Sequence, residues 1–231
     1  MIVHGLQKLT LLDYPGHTAC TVFTGGCNYR CPYCHNAALV VDPHSQPVLD
    51  EAELFAFLKK RTGLLDGVAI TGGEPTLLRD LPDFVRRVKT MGFAVKLDTN
   101  GTNPAMLASL LEEGLLDYVA MDIKTCPERY PAVTGIPGCS TKAVEESVAL
   151  LMQGKTDFEF RTTVVRELHT AEDFEAIGRW IAGAPRYFLQ AFKDSGGLLQ
   201  EGLSGYNRAE MEALAALVRP HVPSVEIRGI D

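Results

Sequence analysis

Residues 67–91, GVAITGGEPTLLRDLPDFVRRVKTM, decide the fold class. The opening residues are small, β-branched and apolar, which reads as a buried strand. Gly72-Gly73 interrupts the run, and from Leu81 the apolar side chains recur at helical spacing behind Asp80, an N-cap residue type. The same strand-then-helix pattern repeats from end to end. Strands are predicted at 18–23, 67–71, 93–98, 117–122, 158–165 and 186–191, with a seventh, 224–228, at the edge. Helices are predicted near 50–61, 81–91, 104–113, 141–152, 171–181 and 206–218. Six βα units imply an α/β fold, either an open doubly wound sheet or a partial barrel. In both, chemistry collects beyond the carboxyl ends of the strands. No linker, fixed-period repeat or low-complexity tract divides the chain, so residues 1–231 are expected to form one domain, with loops at 42–47 and 195–205.

Composition agrees. A chain of 231 residues, 46% of them hydrophobic, with mean hydropathy +0.03, is large enough to bury roughly 70–75% of its unfolded surface without disulfide staples. The longest apolar run, Ala213 to Val218, is far short of the roughly 20 residues that span a bilayer. The start, Met1-Ile2-Val3-His4-Gly5, lacks a charged region followed by an apolar one. A cytoplasmic protein is expected. With 22 Lys and Arg against 29 Asp and Glu, a net charge of −7 and no basic block, neither nucleic acid nor an anionic membrane is expected as a partner.

The unusual residues follow the strands. Cys27-Asn28-Tyr29-Arg30-Cys31-Pro32-Tyr33-Cys34 follows the first and Gly72-Gly73-Glu74 the second. Asp98-Thr99-Asn100-Gly101 follows the third and Asp122-Ile123-Lys124 the fourth. Arg161 lies within the fifth, and Lys193 comes just after the sixth. Three of the six cysteines crowd into the first loop, and clustered thiols point to metal. Either His35 or a distant side chain completes a Cys3His zinc site, or three thiolates hold a [4Fe–4S] cluster with one iron open. Cys20, Cys126 and Cys139 are scattered and read as core or surface thiols. Glu74 either adds charge or caps the next helix, Asn100-Gly101 alone reads as a turn, and Tyr33 alone as a packing aromatic. By strand parity Arg161 points inward if Phe160 and Thr162 face the helices. Asp98 and Asp122, at neighbouring strand ends, converge only if a cation neutralises them; otherwise they are solvated acids.

The C-x3-C-x2-C spacing, with Tyr33 before its last cysteine, resembles the signature of the radical S-adenosylmethionine superfamily, and the resemblance runs nearly the whole chain. Gly72-Gly73-Glu74-Pro75 resembles that family's loop for the methionyl amino group, and the implied fold is a partial (β/α)6 barrel. Asp13-Tyr14-Pro15-Gly16, Cys34-His35-Asn36, Asp98-Thr99-Asn100-Gly101 and Asp122-Ile123-Lys124 resemble the glycyl-radical-enzyme activases. Within that group, Gln7 to Gly16 is similar to the activating proteins of anaerobic ribonucleoside-triphosphate reductase.

The resemblance implies that Cys27, Cys31 and Cys34 hold a [4Fe–4S] cluster and that S-adenosylmethionine is cleaved to a 5′-deoxyadenosyl radical. That radical would abstract hydrogen from a glycine of a partner enzyme, with a flavodoxin- or ferredoxin-type reductant. It further implies cofactor contacts from Tyr33, His35, Gly72, Gly73, Glu74, Asn100, Asp122, Ile123 and Lys124. Arg161 would face the ligand carboxylate, or Asp13 when ligand is absent. A monovalent cation would sit on Asp98, the Thr99 backbone and Asp122. Pyruvate formate-lyase activases carry a His near the end of the sixth strand, where this chain offers Lys193. Two other readings are a small-molecule radical enzyme resembling 7-carboxy-7-deazaguanine synthase, and a non-catalytic zinc module.

Overall fold

In the computed structural model, which describes residues 1–230, eight strands form one sheet in chain order. They are β1 (Gly5–Thr10), β2 (Ala19–Thr24), β3 (Gly67–Gly72), β4 (Ala94–Thr99), β5 (Tyr118–Asp122), β6 (Asp157–Val164), β7 (Tyr187–Ala191) and β8 (Val225–Arg228). β1 pairs antiparallel with β2. From β2 to β8 every pairing is parallel, so each junction needs a crossover. The helices are α1 (Ala37–Val41), α2 (Glu51–Arg61), α3 (Leu81–Thr90), α4 (Pro104–Glu112), α5 (Tyr130–Thr134), α6 (Lys142–Leu151), α7 (Ala171–Trp180) and α8 (Arg208–Val218). β1 and β8 are the two edges of an open sheet.

The two faces of the sheet differ in chemistry. Cys20, Val22, Val68, Ile70, Val95, Leu97, Val119, Met121, Phe158 and Phe160 are buried in one core together with Leu54 and Leu58 of α2, Phe84 and Val85 of α3, and Leu107 and Leu110 of α4. The alternate positions carry small or polar side chains: Ala19, Thr21, Gly67, Ala69, Lys96, Asp98, Ala120, Glu159 and Arg161. Period-2 alternation therefore gives an apolar outside under the helices and a polar interior. One end of that interior is plugged by Tyr14, which clusters with Ala19 and Tyr118. A Cβ on Gly67 would lie 2.8 Å from the Tyr14 ring, so the plug requires glycine there.

Helix entry follows local rules. Asp50 accepts from the N–H groups of Ala52 and Glu53, and Asn103 from that of Met106. Thr170 with Asp173, and Asn207 with Glu210, form reciprocal capping boxes. The six long helices and seven parallel strands lie where the sequence places them. Three elements escape it. β1 is an edge strand with three exposed residues out of six and has no apolar run to mark it, and α1 and α5 have five residues each. The expected loop at 42–47 contains a 3-10 turn, Pro43–Ser45, capped by Asp42. Among the described residues, no helix is long and apolar enough to cross a membrane.

Candidate radical-generating site

The loop after β2 carries the cysteines across the carboxyl ends of the strands. It is held by backbone contacts and by a few side chains reaching backbone. Gly26 N–H donates to Leu39 C=O (2.8 Å), Arg30 N–H to Thr134 C=O (2.8 Å) and Cys34 N–H to Cys31 C=O (3.0 Å). The Arg30 guanidinium donates to the carbonyls of Cys27 (2.7 Å) and Tyr29 (2.8 Å). From the β3 side, Gly73 N–H donates to Thr24 C=O and Glu74 N–H to Gly26 C=O, each at 2.8 Å. A Cβ on Gly73 would sit 1.9 Å from the Gly26 carbonyl oxygen, and one on Gly72, whose φ is +116°, 2.3 Å from that of Thr24. These glycines are dictated by backbone meeting backbone. The Gly72 carbonyl also accepts from Asn36 Nδ2 at 2.9 Å.

The three thiols line a cavity of about 230 Å³ with Tyr33, Gly72, Gly73, Asn100, Asp122, Lys124 and Arg161. Burial pushes the Cys31 thiol up to about 11, against the pull of Lys124, and raises those of Cys27 and Cys34 as well. Asn100 reaches into the loop: its Nδ2 donates to Asn28 Oδ1 at 3.0 Å and lies 3.8 Å from Cys27 Sγ. The Tyr33 ring meets His169 edge-on, with centroids 6.4 Å apart. His169 accepts from Val165 N–H at Nδ1 (3.1 Å) and donates from Nε2 to Lys124 C=O (2.8 Å). Nδ1 also lies 3.1 Å from Val165 C=O, and burial lowers the His169 pKa against the pull of these backbone groups.

Glu74 is a tie rather than a free charge. It is 1% exposed, and its carboxylate accepts from Thr76 N–H (3.0 Å), Thr76 Oγ1 (2.5 Å), Thr99 Oγ1 (2.8 Å) and Asn100 N–H (2.6 Å). It joins the loops after β3 and β4 and caps the 3-10 turn Pro75–Leu77.

The opposite wall is ionic. Asp98 Oδ1 accepts from Lys96, and Asp98 Oδ2 lies 3.0 Å from Arg161 Nη2. Asp122 Oδ1 accepts from Arg161 Nε at 2.5 Å and Asp122 Oδ2 from Lys124 Nζ at 2.8 Å. Burial alone would raise both carboxyls, yet the adjoining cations hold them below the usual range, Asp122 far below. At the place where the sequence reading expects a monovalent cation, all four carboxylate oxygens face protein cations. The two acids are not solvated, for their side chains are 13% and 25% exposed. Arg161 points inward as parity requires.

The remaining expected site residues have partners of their own. His35 is not aimed at a metal with its neighbour Cys34: its Nε2 meets Lys193 C=O at 2.8 Å and its ring stacks on Phe192. Asp13 accepts from Thr21 Oγ1 at 2.5 Å, while Arg161 turns to Asp98 and Asp122 instead. Ile123 is fully buried and joins the strand-end ladder through Arg161 C=O and Thr162 Oγ1. Neither it nor Lys193 lines the cavity. Sequence reasoning missed Lys96, 2% exposed; the parity that placed Arg161 applies equally to Lys96 and Asp98.

A wider cavity of about 560 Å³ shares His35, Asp98, Arg161, Thr163 and Gln190 with the first. It reaches Leu11, Leu12, Asp13 and Pro15 beyond β1, and Arg228 and Gly229 at the end of β8. The two edges of the open sheet flank this approach.

The model of the radical SAM superfamily matches residues 21–181, and the chain belongs to that superfamily. A Methanocaldococcus jannaschii protein provisionally named a glycyl-radical enzyme activating enzyme is 30% identical over 239 residues, covering 100% of this chain and 97% of its own. A Thermococcus kodakarensis protein provisionally named a GTP 3′,8-cyclase is 30% identical over 67% of this chain and 50% of its own length. Among solved structures, Streptococcus suis SuiB bound to S-adenosylmethionine superposes with a TM-score of 0.69 at 12% identity, covering 89% of this chain and 49% of that one.

Membership implies a [4Fe–4S] cluster and S-adenosylmethionine, and the residues fit both. The three loop cysteines are free thiols facing one cavity, so three thiolates can ligate and leave one iron open. Tyr33 lines the cavity, and its buried Oη has no hydrogen-bond partner, the kind of orphan that a polar ligand group satisfies. Lys124 and Arg161 supply positive charge for a carboxylate.

Proposed function

We propose that the protein activates a glycyl-radical enzyme. The observation that carries this reading is the length-for-length similarity to the Methanocaldococcus jannaschii protein named as such an activating enzyme; the cyclase relative is matched over only half its length. When bound, the cluster supplies the electron that splits S-adenosylmethionine into methionine and a 5′-deoxyadenosyl radical, which takes hydrogen from a glycine of the partner. Cys27, Cys31 and Cys34 are the cluster ligands. Lys124 and Arg161 orient the methionyl carboxylate, the main chain around Gly72 and Gly73 meets the ammonium group, and Tyr33 and Asn100 border the nucleoside. Asp98 and Asp122 hold the cations in place.

The approach between β1 and β8 suits a flexible glycine loop, which excludes water as it enters. Residues 7–16, whose sequence resembles the activators of anaerobic ribonucleoside-triphosphate reductase, span the end of β1 and one lip of that approach, so this reductase is the proposed partner. A flavodoxin or ferredoxin is the proposed electron donor. The test is an anaerobic mixture of reconstituted protein, S-adenosylmethionine, reductant and that reductase. A glycyl radical signal by electron paramagnetic resonance, rising in step with 5′-deoxyadenosine, is the expected result. Turnover driven only by GTP or another small purine would replace the activase reading with a small-molecule one.

A further inference from the structure

Lys96 is the buried charge that the proposed chemistry leaves without a role. Two residues before Asp98 on β4, it shares the interior face and is 2% exposed. Its ammonium closes a row of alternating charge across three neighbouring strands: Lys96, Asp98, Arg161, Asp122, Lys124. The sheet register sets Asp122 directly beside Arg161. The next acid along the interior, Glu159, is already engaged by Arg228 at 2.8 and 3.1 Å and by Tyr118 Oη at 2.7 Å, so Lys96 is committed to Asp98. Without Lys96, Asp98 would keep only the guanidinium it shares with Asp122, while Lys124 still serves Asp122; Asp98 Oδ1 would be left bare among enclosed charges, an arrangement that draws in a small cation.

We propose that Lys96 is a built-in monovalent cation, a positioning residue whose ammonium takes the place at Asp98 that a sodium or potassium ion would otherwise fill. The Asp98 carboxylate, held by Lys96, fixes the Arg161 guanidinium across to Asp122 and so sets the polar wall of the cavity without any ion from solution. The consequence for cofactor affinity rests on the proposed S-adenosylmethionine reading; the ion dependence does not.

The experiment therefore starts with cluster-free protein. Wild type and Lys96→Met are melted in sodium, potassium and choline chloride at equal ionic strength, and sodium-23 relaxation is recorded on both. The wild type should melt at one temperature in all three salts and leave the relaxation unchanged. Lys96→Met should melt lower in choline, recover saturably in sodium or potassium, and enhance the relaxation. After anaerobic reconstitution, its S-adenosylmethionine affinity by calorimetry should drop roughly tenfold in choline and return with the alkali ion. A saturable alkali response in the wild type, or a folded Lys96→Met indifferent to the ion, overturns the proposal. If Lys96→Met folds in no salt, the pair Lys96→Met/Asp98→Asn decides: folding indifferent to alkali ions supports the proposal, and folding that still responds to them contradicts it. A wild type that fails to bind S-adenosylmethionine sinks the cofactor reading and leaves the ion result standing.

Discussion

The wall of the cavity that carries the cysteines is built from backbone, whereas the wall facing it is built from charge. On the first, glycines and main-chain hydrogen bonds press three loops together, and Glu74 ties them by accepting four hydrogen bonds. On the second, Lys96, Asp98, Arg161, Asp122 and Lys124 answer one another across β4, β5 and β6. A loop that holds a cluster needs fixed geometry, and backbone contacts leave the fewest rotatable bonds between anchor and ligand. A wall that receives a zwitterionic amino acid needs charges pre-oriented without water, which an enclosed ionic row provides at the cost of desolvation. Damage to the first wall should abolish function; damage to the second should grade it.

The largest effect is expected from Cys27→Ala, Cys31→Ala or Cys34→Ala. Each should lose the iron absorption and all S-adenosylmethionine cleavage, because two thiolates leave the cluster too few anchors. Cys20→Ala, Cys126→Ala and Cys139→Ala should reconstitute with iron and sulfide near four per chain. A folded Cys126→Ala or Cys139→Ala chain without that absorption would refute the ligand assignment.

Gly73→Ala comes next. The added methyl meets the Gly26 carbonyl oxygen at 1.9 Å, backbone that cannot rotate away, so a loss of roughly 1–3 kcal/mol is expected from overpacking. Denaturant unfolding of the cluster-free protein measures it, and a wild-type midpoint would show that the two loops are free to part.

Asp122→Asn should weaken S-adenosylmethionine binding by about 1–3 kcal/mol while leaving the fold intact, because Arg161 and Lys124 each lose the carboxylate that aims them. Anaerobic calorimetry reads this directly. Unchanged affinity would make Asp122 a bystander.

The smallest effect is in pH. Cations hold the folded-state pKa values of Asp98 and Asp122 below those of the unfolded chain. Their contribution is therefore complete above about pH 4, the unfolded carboxylate value, and is lost as pH falls through the lower folded values. The melting temperature of the cluster-free protein should show no loss from these two acids between pH 8 and 5, both far above that value. Asp98→Asn should flatten the fall that begins near pH 4; an unaltered fall would assign acid unfolding elsewhere.

Much of this was legible in the sequence because the alternation of strands and helices is strong and the chemistry-bearing residues stand at strand ends. Parity sufficed to aim Arg161 inward. What escaped depended on partners distant in the chain. Glu74 reads as a charge or a cap until Thr99 and Asn100 arrive from another βα unit. The Lys96 contact to Asp98 escaped because a lysine in the middle of an apolar strand has no signature beyond its parity. β1 lacked a periodic signal because an edge strand buries so little.

The central claim is that the radical made in this cavity is spent on a backbone glycine of another protein. Deuterium placed at the α-carbon of the radical-forming glycine of anaerobic ribonucleoside-triphosphate reductase should appear in 5′-deoxyadenosine after one anaerobic turnover, read by mass spectrometry. If that label never transfers, while deuterium from GTP or another small molecule does, the activase account is contradicted.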